Sequence, residues 1–227
     1  MANFLHHEAC PACREAGGDR DGNNLGRYDD GSAWCFACGY WERKTGKKKL
    51  EKAIKTAYKD SFTELATLPP AWEQELVKRG LNESERGLFT YSPEMDRLIY
   101  RNEDFVEARC FFGKKPKTLS FGTKPFVIFG EGTPVVLVED LFSALRVGRT
   151  TSAIPLFGSV IKQEWYPLLT RLTKNVILWL DHDKYKEAID QARKLRLTGL
   201  SSSVIRTPLD PKEYDETSIA GYLGTKR

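Results

Sequence analysis

Two Cys-x-x-Cys pairs constrain the start of this 227-residue chain more than any other feature: Cys10-Pro11-Ala12-Cys13 and Cys35-Phe36-Ala37-Cys38, with 21 residues between them. Residues 1–42 are rich in Cys, Gly and Asp and poor in aliphatics. Such a segment cannot bury enough apolar surface to fold without a staple. Each Cys-x-x-Cys turn places two thiolates on one ion, and two turns complete a closed tetrahedral site of four soft ligands, which selects zinc. Between the pairs, Asn24–Tyr28 and Ser32–Cys35 flank the turn Asp29-Asp30-Gly31, a hairpin signal. The expectation is a zinc ribbon whose metal, one Zn2+ on Cys10, Cys13, Cys35 and Cys38, supplies its folding energy. A redox dithiol is the alternative, and two matched pairs disfavour it.

Met1 is followed by Ala, Asn, Phe, Leu and two His, with no basic n-region and no apolar h-region. No apolar run is long enough to cross a bilayer. The sequence therefore predicts a cytoplasmic protein with no membrane partner. In a reducing compartment the five cysteines do not form a disulfide framework. Cys110 reads as a buried small hydrophobe.

The remainder is different in kind. With 41% hydrophobic residues overall, the chain can build a core. A basic run from Arg43 through 59 reads as a linker. Pro69-Pro70 opens a helix at Ala71–Arg79, which Gly80 ends. Strands are expected at Arg97–Tyr100, Val106–Phe112 and Phe126–Phe129. From 134 onward, continuous apolar strands (Pro134–Val138, Ala153–Phe157, Val176–Leu180, Ser202–Arg206) alternate with helices at Leu141–Val147, Gln163–Thr173 and Lys184–Leu197. That alternation predicts an α/β fold, a parallel sheet with helices on both faces. The domain reading is a zinc ribbon at 1–42, a basic linker at 43–59, a helical and basic β-rich region at 60–130, and the α/β region at 131–227.

Acids follow three of the strands: Glu139-Asp140, Asp181-His182-Asp183, and Asp210-Pro211-Lys212-Glu213. In an open parallel sheet, ligands bind beyond the carboxyl ends of the strands. Asp181 and Asp183, two apart, point the same way if extended. Clustered carboxylates repel unless a cation sits among them, and hard oxygen donors select Mg2+ or Mn2+. Such ions can activate a 3′-hydroxyl and neutralise a leaving pyrophosphate. Each acid also has a plainer reading. Asp140 or Asp183 can cap the following helix, Asp210 can be a turn residue, and Glu213 can be a solvated charge.

Around the cysteines, Tyr28, Trp34, Phe36, Tyr40 and Trp41 mingle with Arg14, Arg20, Arg27, Arg43 and Lys44. Aromatic faces with interleaved cations suit single-stranded bases and phosphates, with Trp34, Tyr40 and Trp41 as candidates. The alternative is that Trp34 and Phe36 pack the ribbon's core. His6 and His7 are surplus to a four-thiolate site and read as surface residues within reach of DNA. A net charge of +4 fits a nucleic-acid partner but is shared by many proteins.

Taken together, these residues resemble the bacterial-type and short-tailed-phage DNA primases along nearly the whole chain: a zinc ribbon, a basic linker, a small basic β-rich subdomain and a TOPRIM fold. The resemblance implies template-directed synthesis of short RNA primers on single-stranded DNA from ribonucleoside triphosphates. Glu139 matches the family's strand-end Glu, Asp181 and Asp183 its Asp-x-Asp, and Asp210 the acid of its Asp-Pro turn. By this likeness Glu139, Asp181, Asp183 and Asp210 would be catalytic and hold the metals, with Asp140 as an extra carboxylate for Mg2+ beside them. Arg97, Arg109, Lys114, Lys115 and Lys117 match the basic subdomain that holds nucleotides and the template–primer backbone, where Lys114 and Lys115 also read as a solvated turn. The family usually has Gly where this chain has Asp140, and often an acid where it has Ser143. Those departures keep open a noncatalytic zinc-ribbon DNA-binding replication protein with a decayed TOPRIM site, and the implied fold itself leaves a TOPRIM nuclease as a further alternative. No Gly-x-x-x-x-Gly-Lys-Ser/Thr loop occurs, so a helicase partner is expected to be a separate protein.

Overall fold

The computed structural model describes residues 3–19, 21–42, 62–114 and 116–224. The linker expected at 43–59 lies outside them, as do Arg20, Arg43, Lys44 and Lys115. The chain divides into two compact units. One runs to Trp72 and includes Phe89–Arg101 and Val106–Phe121; the other comprises Glu73–Leu88, Asn102–Phe105 and the chain from Gly122.

In the first unit, strands β1 (Phe4–Glu8), β2 (Leu25–Tyr28), β3 (Ala33–Cys35) and β4 (Trp41–Glu42) form an antiparallel sheet in that order. The expected hairpin is β2–β3, with Leu25 opposite Cys35 and Arg27 opposite Ala33. Its turn closes on Gly31 at φ 78°, a left-handed conformation that glycine adopts without strain. Asp30 accepts from the backbone N–H and hydroxyl of Ser32. The first Cys pair opens a short helix, α1 (Pro11–Glu15), with proline at a position that needs no N–H donor. The core here is small: Cys10, Cys13, Leu25, Ala33 and Cys35, with Tyr40 packed on its edge.

The same unit holds a second antiparallel sheet, β5 (Phe89–Ser92), β6 (Arg97–Asn102), β7 (Phe105–Arg109) and β8 (Thr118–Phe121). Two expectations are corrected. The strand read as Val106–Phe112 stops at Arg109, and Phe126–Phe129 is not a strand. Only Phe129 pairs, in an isolated bridge to Ala153. Pro125 lacks an N–H at the head of that run, and the Phe126 ring turns to meet Trp165, 5.4 Å between centroids.

The second unit is the α/β fold. Strands β9 (Val135–Val138), β10 (Ala153–Pro155), β11 (Asn175–Leu178) and β12 (Ser201–Val204) are all parallel, in the order β10-β9-β11-β12. Side chains alternate along each strand, so the continuous apolar runs feed two cores at once. Val135, Leu137, Val176 and Leu178 pack with Trp165, Leu169, Ala188, Ala192 and Leu195. These come from the Gln163–Trp165 turn and from helices at Tyr166–Leu172 and Tyr185–Leu197. Val136, Val138, Ile177 and Trp179 pack with Ala144, Val147 and Ile219, from helices at Leu141–Gly148 and Glu216–Leu223. The chain leaves β9 towards β10, then crosses back over β9 to β11. The switch point of the topology therefore lies between β9 and β11. No helix among the described residues is long and apolar enough to cross a membrane.

Candidate active site and metal centre

The four ribbon cysteines converge. Their sulfurs lie within 4.8 Å of one another, with Cys10 to Cys38 at 3.7 Å and Cys13 to Cys35 at 3.6 Å. A tetrahedral zinc with bonds of about 2.3 Å needs sulfur separations of about 3.8 Å, so the cage has the right size. Among the described residues this is the one group of three or more Cys, His or acidic side chains drawn that close. The Cys10 backbone is fixed by Asp19, whose carboxylate accepts from its N–H at 2.6 Å and from Asn23 at 3.1 Å. Hydrogen bonding to Cys38, with burial, pushes the Cys13 thiol up to about 12. Burial also raises Cys35, but backbone N–H groups of Cys38 and Ala37 outweigh it and bring Cys35 to about 7. Four crowded thiols cannot all ionise unaided; a dication would let them.

One face of the ribbon sheet carries an aromatic row. His7 lies opposite Gly26, Gly26 opposite Trp34, and Trp34 opposite Trp41. Gly26 leaves a gap that Phe4 covers: a Cβ there would meet the Phe4 ring at 3.4 Å. His7 stacks obliquely on Phe4 and edge-on against Phe36. Phe4, Trp34, Phe36 and Trp41 are each at least half exposed. Trp34 and Phe36 are therefore surface groups, and Tyr40 is the aromatic that packs against the cysteines. On the other face, Arg27 bridges Glu8 at 2.7 Å and Glu42 at 2.6 Å, which ties β1 and β4 to β2.

In the α/β unit, β9 runs into Glu139 and Asp140, β11 continues through Trp179 and Leu180 into Asp181, and the segment after β12 reaches Asp210. Lys212 joins three of them. Its Nζ lies 3.0 Å from Asp181, 3.0 Å from Asp210 and 3.2 Å from Asp140. Asp140 also caps the helix that follows, accepting from the Ser143 N–H at 2.8 Å. Asp210 accepts from the backbone N–H and ring of His182 at 3.0 and 2.9 Å. Glu139 Oε2 and Asp181 Oδ1 are buried and accept no hydrogen bond from a described residue.

Asp183 is the exception. The chain turns into a 3-10 helix at His182–Lys184, so the alternation expected of an extended Asp-x-Asp is lost. Asp183 faces solvent and pairs with Lys184 at 3.1 Å. It does not cap the helix at Tyr185, whose N-cap residue is Lys184.

The electrostatics divide the acids. Burial, then the charge of Asp181, pushes Glu139 up to about 7. Burial also raises Asp181, to about 6, against the pull of Lys212. For Asp210 burial acts the same way, but hydrogen bonds from His182 and Lys212 overcome it and hold the carboxyl at about 2. The Lys212 ammonium is desolvated, yet Asp140 and Asp181 raise its proton affinity above the ordinary lysine value. Hard oxygen donors, two of them buried without a partner, fit a divalent cation such as Mg2+ or Mn2+.

The basic residues separate in the same way. Arg97 is 2% exposed and donates to the carbonyls of Lys117 and Pro116, at 3.1 and 2.7 Å. It braces the β-sheet. Arg109 is buried beside Glu107 at 3.5 Å. Lys114 donates to the Met95 carbonyl at 2.8 Å, and Lys117 is exposed. Sequence reasoning passed over Lys212, His182 and Arg206. Arg206 lies over the Tyr185 ring at 4.9 Å, and both border a small pocket lined by Asp181 and His182. Only the lysine inside the Asp-Pro-Lys-Glu turn carried a signal, as a lone cation amid acids.

No protein-family model matches the chain, and no curated protein matches its sequence. Solved structures similar to it include two primase fragments. The zinc-binding and RNA polymerase domains of the Aquifex aeolicus primase align over 98% of this chain and 80% of that one, at 14% identity and a TM-score of 0.58. The DnaG catalytic core aligns over 76% of this chain and 74% of that one, at 18% identity and a TM-score of 0.47. At such identities the likeness to the Aquifex protein is one of fold.

Proposed function

We propose that the chain is a DNA primase of the bacterial type, a TOPRIM nucleotidyltransferase that makes short RNA primers on single-stranded DNA. One observation carries the reading. Glu139 and Asp181 follow the two strands that flank the switch point of a parallel sheet, Asp210 shares Lys212 with Asp181, and buried oxygens of Glu139 and Asp181 lack partners. The fold shared with the Aquifex primase domains supports it.

When bound there, Mg2+ or Mn2+ would activate the primer 3′-hydroxyl and stabilise the leaving pyrophosphate. Glu139 and Asp181 are the residues that would hold it, with Asp140 and Asp210 beside them and Asp183 turning in from solvent. Exposed Lys117, with Lys114 and Arg109, would meet triphosphate and template backbone. The aromatic row of Trp34, Trp41, Phe36 and His7 would stack template bases, and the zinc ribbon would bring a recognised sequence to the acids. These 227 residues contain no P-loop, so ATP-driven unwinding would fall to another domain or polypeptide. We assign the chain to the cytoplasm, and to the host's if it is phage-encoded.

The test is incorporation of labelled ribonucleotides on single-stranded DNA with Mg2+ or Mn2+. The wild type makes short, template-dependent products and Asp181→Ala makes none. Equal incorporation by both overturns the site. A second reading, a noncatalytic DNA-binding replication protein, is favoured by Lys212 among the acids; it predicts single-stranded DNA binding with no incorporation by the wild type.

A further inference from the structure

The cation among the acids is part of the chain. Lys212 is the second residue of the 3-10 turn Pro211–Glu213, whose Pro211 is buried, so its backbone is anchored while four side-chain bonds leave the ammonium free to swing. Its side chain is one-fifth exposed and reaches Asp140, Asp181 and Asp210 at 3.0–3.2 Å. The neighbouring Lys184 behaves differently. It pairs with Asp183 at the surface, at 3.1 Å. Lys212 is thus the interior counter-charge.

An ammonium and a divalent ion hold carboxylates differently. The ammonium keeps oxygens about 3 Å from its centre, whereas Mg2+ draws them to about 2.1 Å. Around Lys212 the acids are correspondingly spread: they do not form a group within 4.8 Å of one another, as the cysteines do. The two cations cannot share the same oxygens, because their charges repel at that range.

We propose that Lys212 is a tethered cation that competes with divalent ions for Asp140, Asp181 and Asp210. It holds the acids in place when divalent ions are scarce and sets the concentration at which the site engages them. This rests on the reading of the rim as a divalent-cation centre. Lys212 is a positioning residue here, acting through the carboxylates.

The experiment is Mn2+ titration of the zinc-loaded full chain, followed by the electron paramagnetic resonance of free Mn2+, for wild type, Asp181→Ala, Lys212→Gln and Lys212→Arg. Thermal melting is run in parallel, with and without Mn2+. The expected result is a wild-type site lost in Asp181→Ala, bound about tenfold or more tightly in Lys212→Gln, and no tighter in Lys212→Arg. Lys212→Gln should also melt lower than wild type without Mn2+ and recover with it. Should Lys212→Gln not fold without metal, its refolding on Mn2+ addition is read instead, and failure to refold overturns the proposal. An Asp181-dependent site of equal or weaker affinity in Lys212→Gln also overturns it, while leaving the divalent reading standing. No Asp181-dependent Mn2+ site in any variant removes both.

Discussion

The ribbon and the α/β unit both gather ligands for cations, and they stand in opposite relations to them. In the ribbon the ligands are the core: Cys10, Cys13 and Cys35 are buried in one cluster with Leu25 and Ala33. In the α/β unit the core is complete without the acids, which sit at its rim and are strained by it. Burial pushes Glu139 and Asp181 upward, and an internal lysine offsets their repulsion. A cation therefore builds the first region and relieves the second.

The largest effect should come from the ribbon. Cys35→Ser, or zinc chelation, removes on the order of 10 kcal/mol of coupled folding energy and should unfold residues 3–42. Circular dichroism and proteolysis check this, with the α/β fragment expected to stay intact. In the α/β unit the same kind of change should cost activity instead. Glu139→Gln should lower ribonucleotide incorporation by about a thousandfold, as expected when several kcal/mol of metal-borne charge stabilisation is lost. Smaller again is Trp34→Ala, which should weaken single-stranded DNA binding by about 1–3 kcal/mol in a fluorescence titration without changing zinc content.

The smallest effect sharpens the contrast most, because its sign reverses. Glu139 binds its proton more tightly in the fold, at about 7 against an ordinary 4.5. The stability this contributes is full below the ordinary value and lost as pH rises through about 7. Glu139→Gln should therefore melt higher than wild type at pH 8 in chelator, by about 1 kcal/mol after solvent screening of a half-buried group, with the gain gone below pH 4.5. A site residue whose loss stabilises one region has no counterpart among the ribbon cysteines.

What could be read from the sequence follows the physics of each element. Val135–Val138 and Val176–Leu178 announced themselves because both faces of a parallel strand are buried, which leaves continuous apolar runs. The cysteine spacing identified the cage outright. By contrast β1 is almost wholly exposed and pairs with β2 at the edge of its sheet, so Phe4–Glu8 shows no burial pattern. The helix at Glu216–Leu223 buries just Ile219 and Ala220 and was equally silent. Phe126–Phe129 imitated a strand because a short apolar run says nothing about where its backbone hydrogen bonds go. At the site, Glu139 and Asp181 were legible from the strands that precede them. The turn at His182–Lys184 breaks the extended alternation expected of Asp181 and Asp183, and no sequence signal showed that Arg97 donates to backbone carbonyls. For Lys212 the sequence showed only the neighbouring Asp210, because its other two partners, Asp181 and Asp140, lie 31 and 72 residues away.

Hydrogen exchange by mass spectrometry, with zinc and Mg2+ withdrawn separately, tests the central contrast most directly. The account predicts that zinc withdrawal abolishes protection across residues 3–42 and spares the strands at 135–138 and 175–178. Mg2+ withdrawal should leave protection in both regions. Loss of protection in those two strands on Mg2+ withdrawal, or a ribbon still protected without zinc, would contradict it.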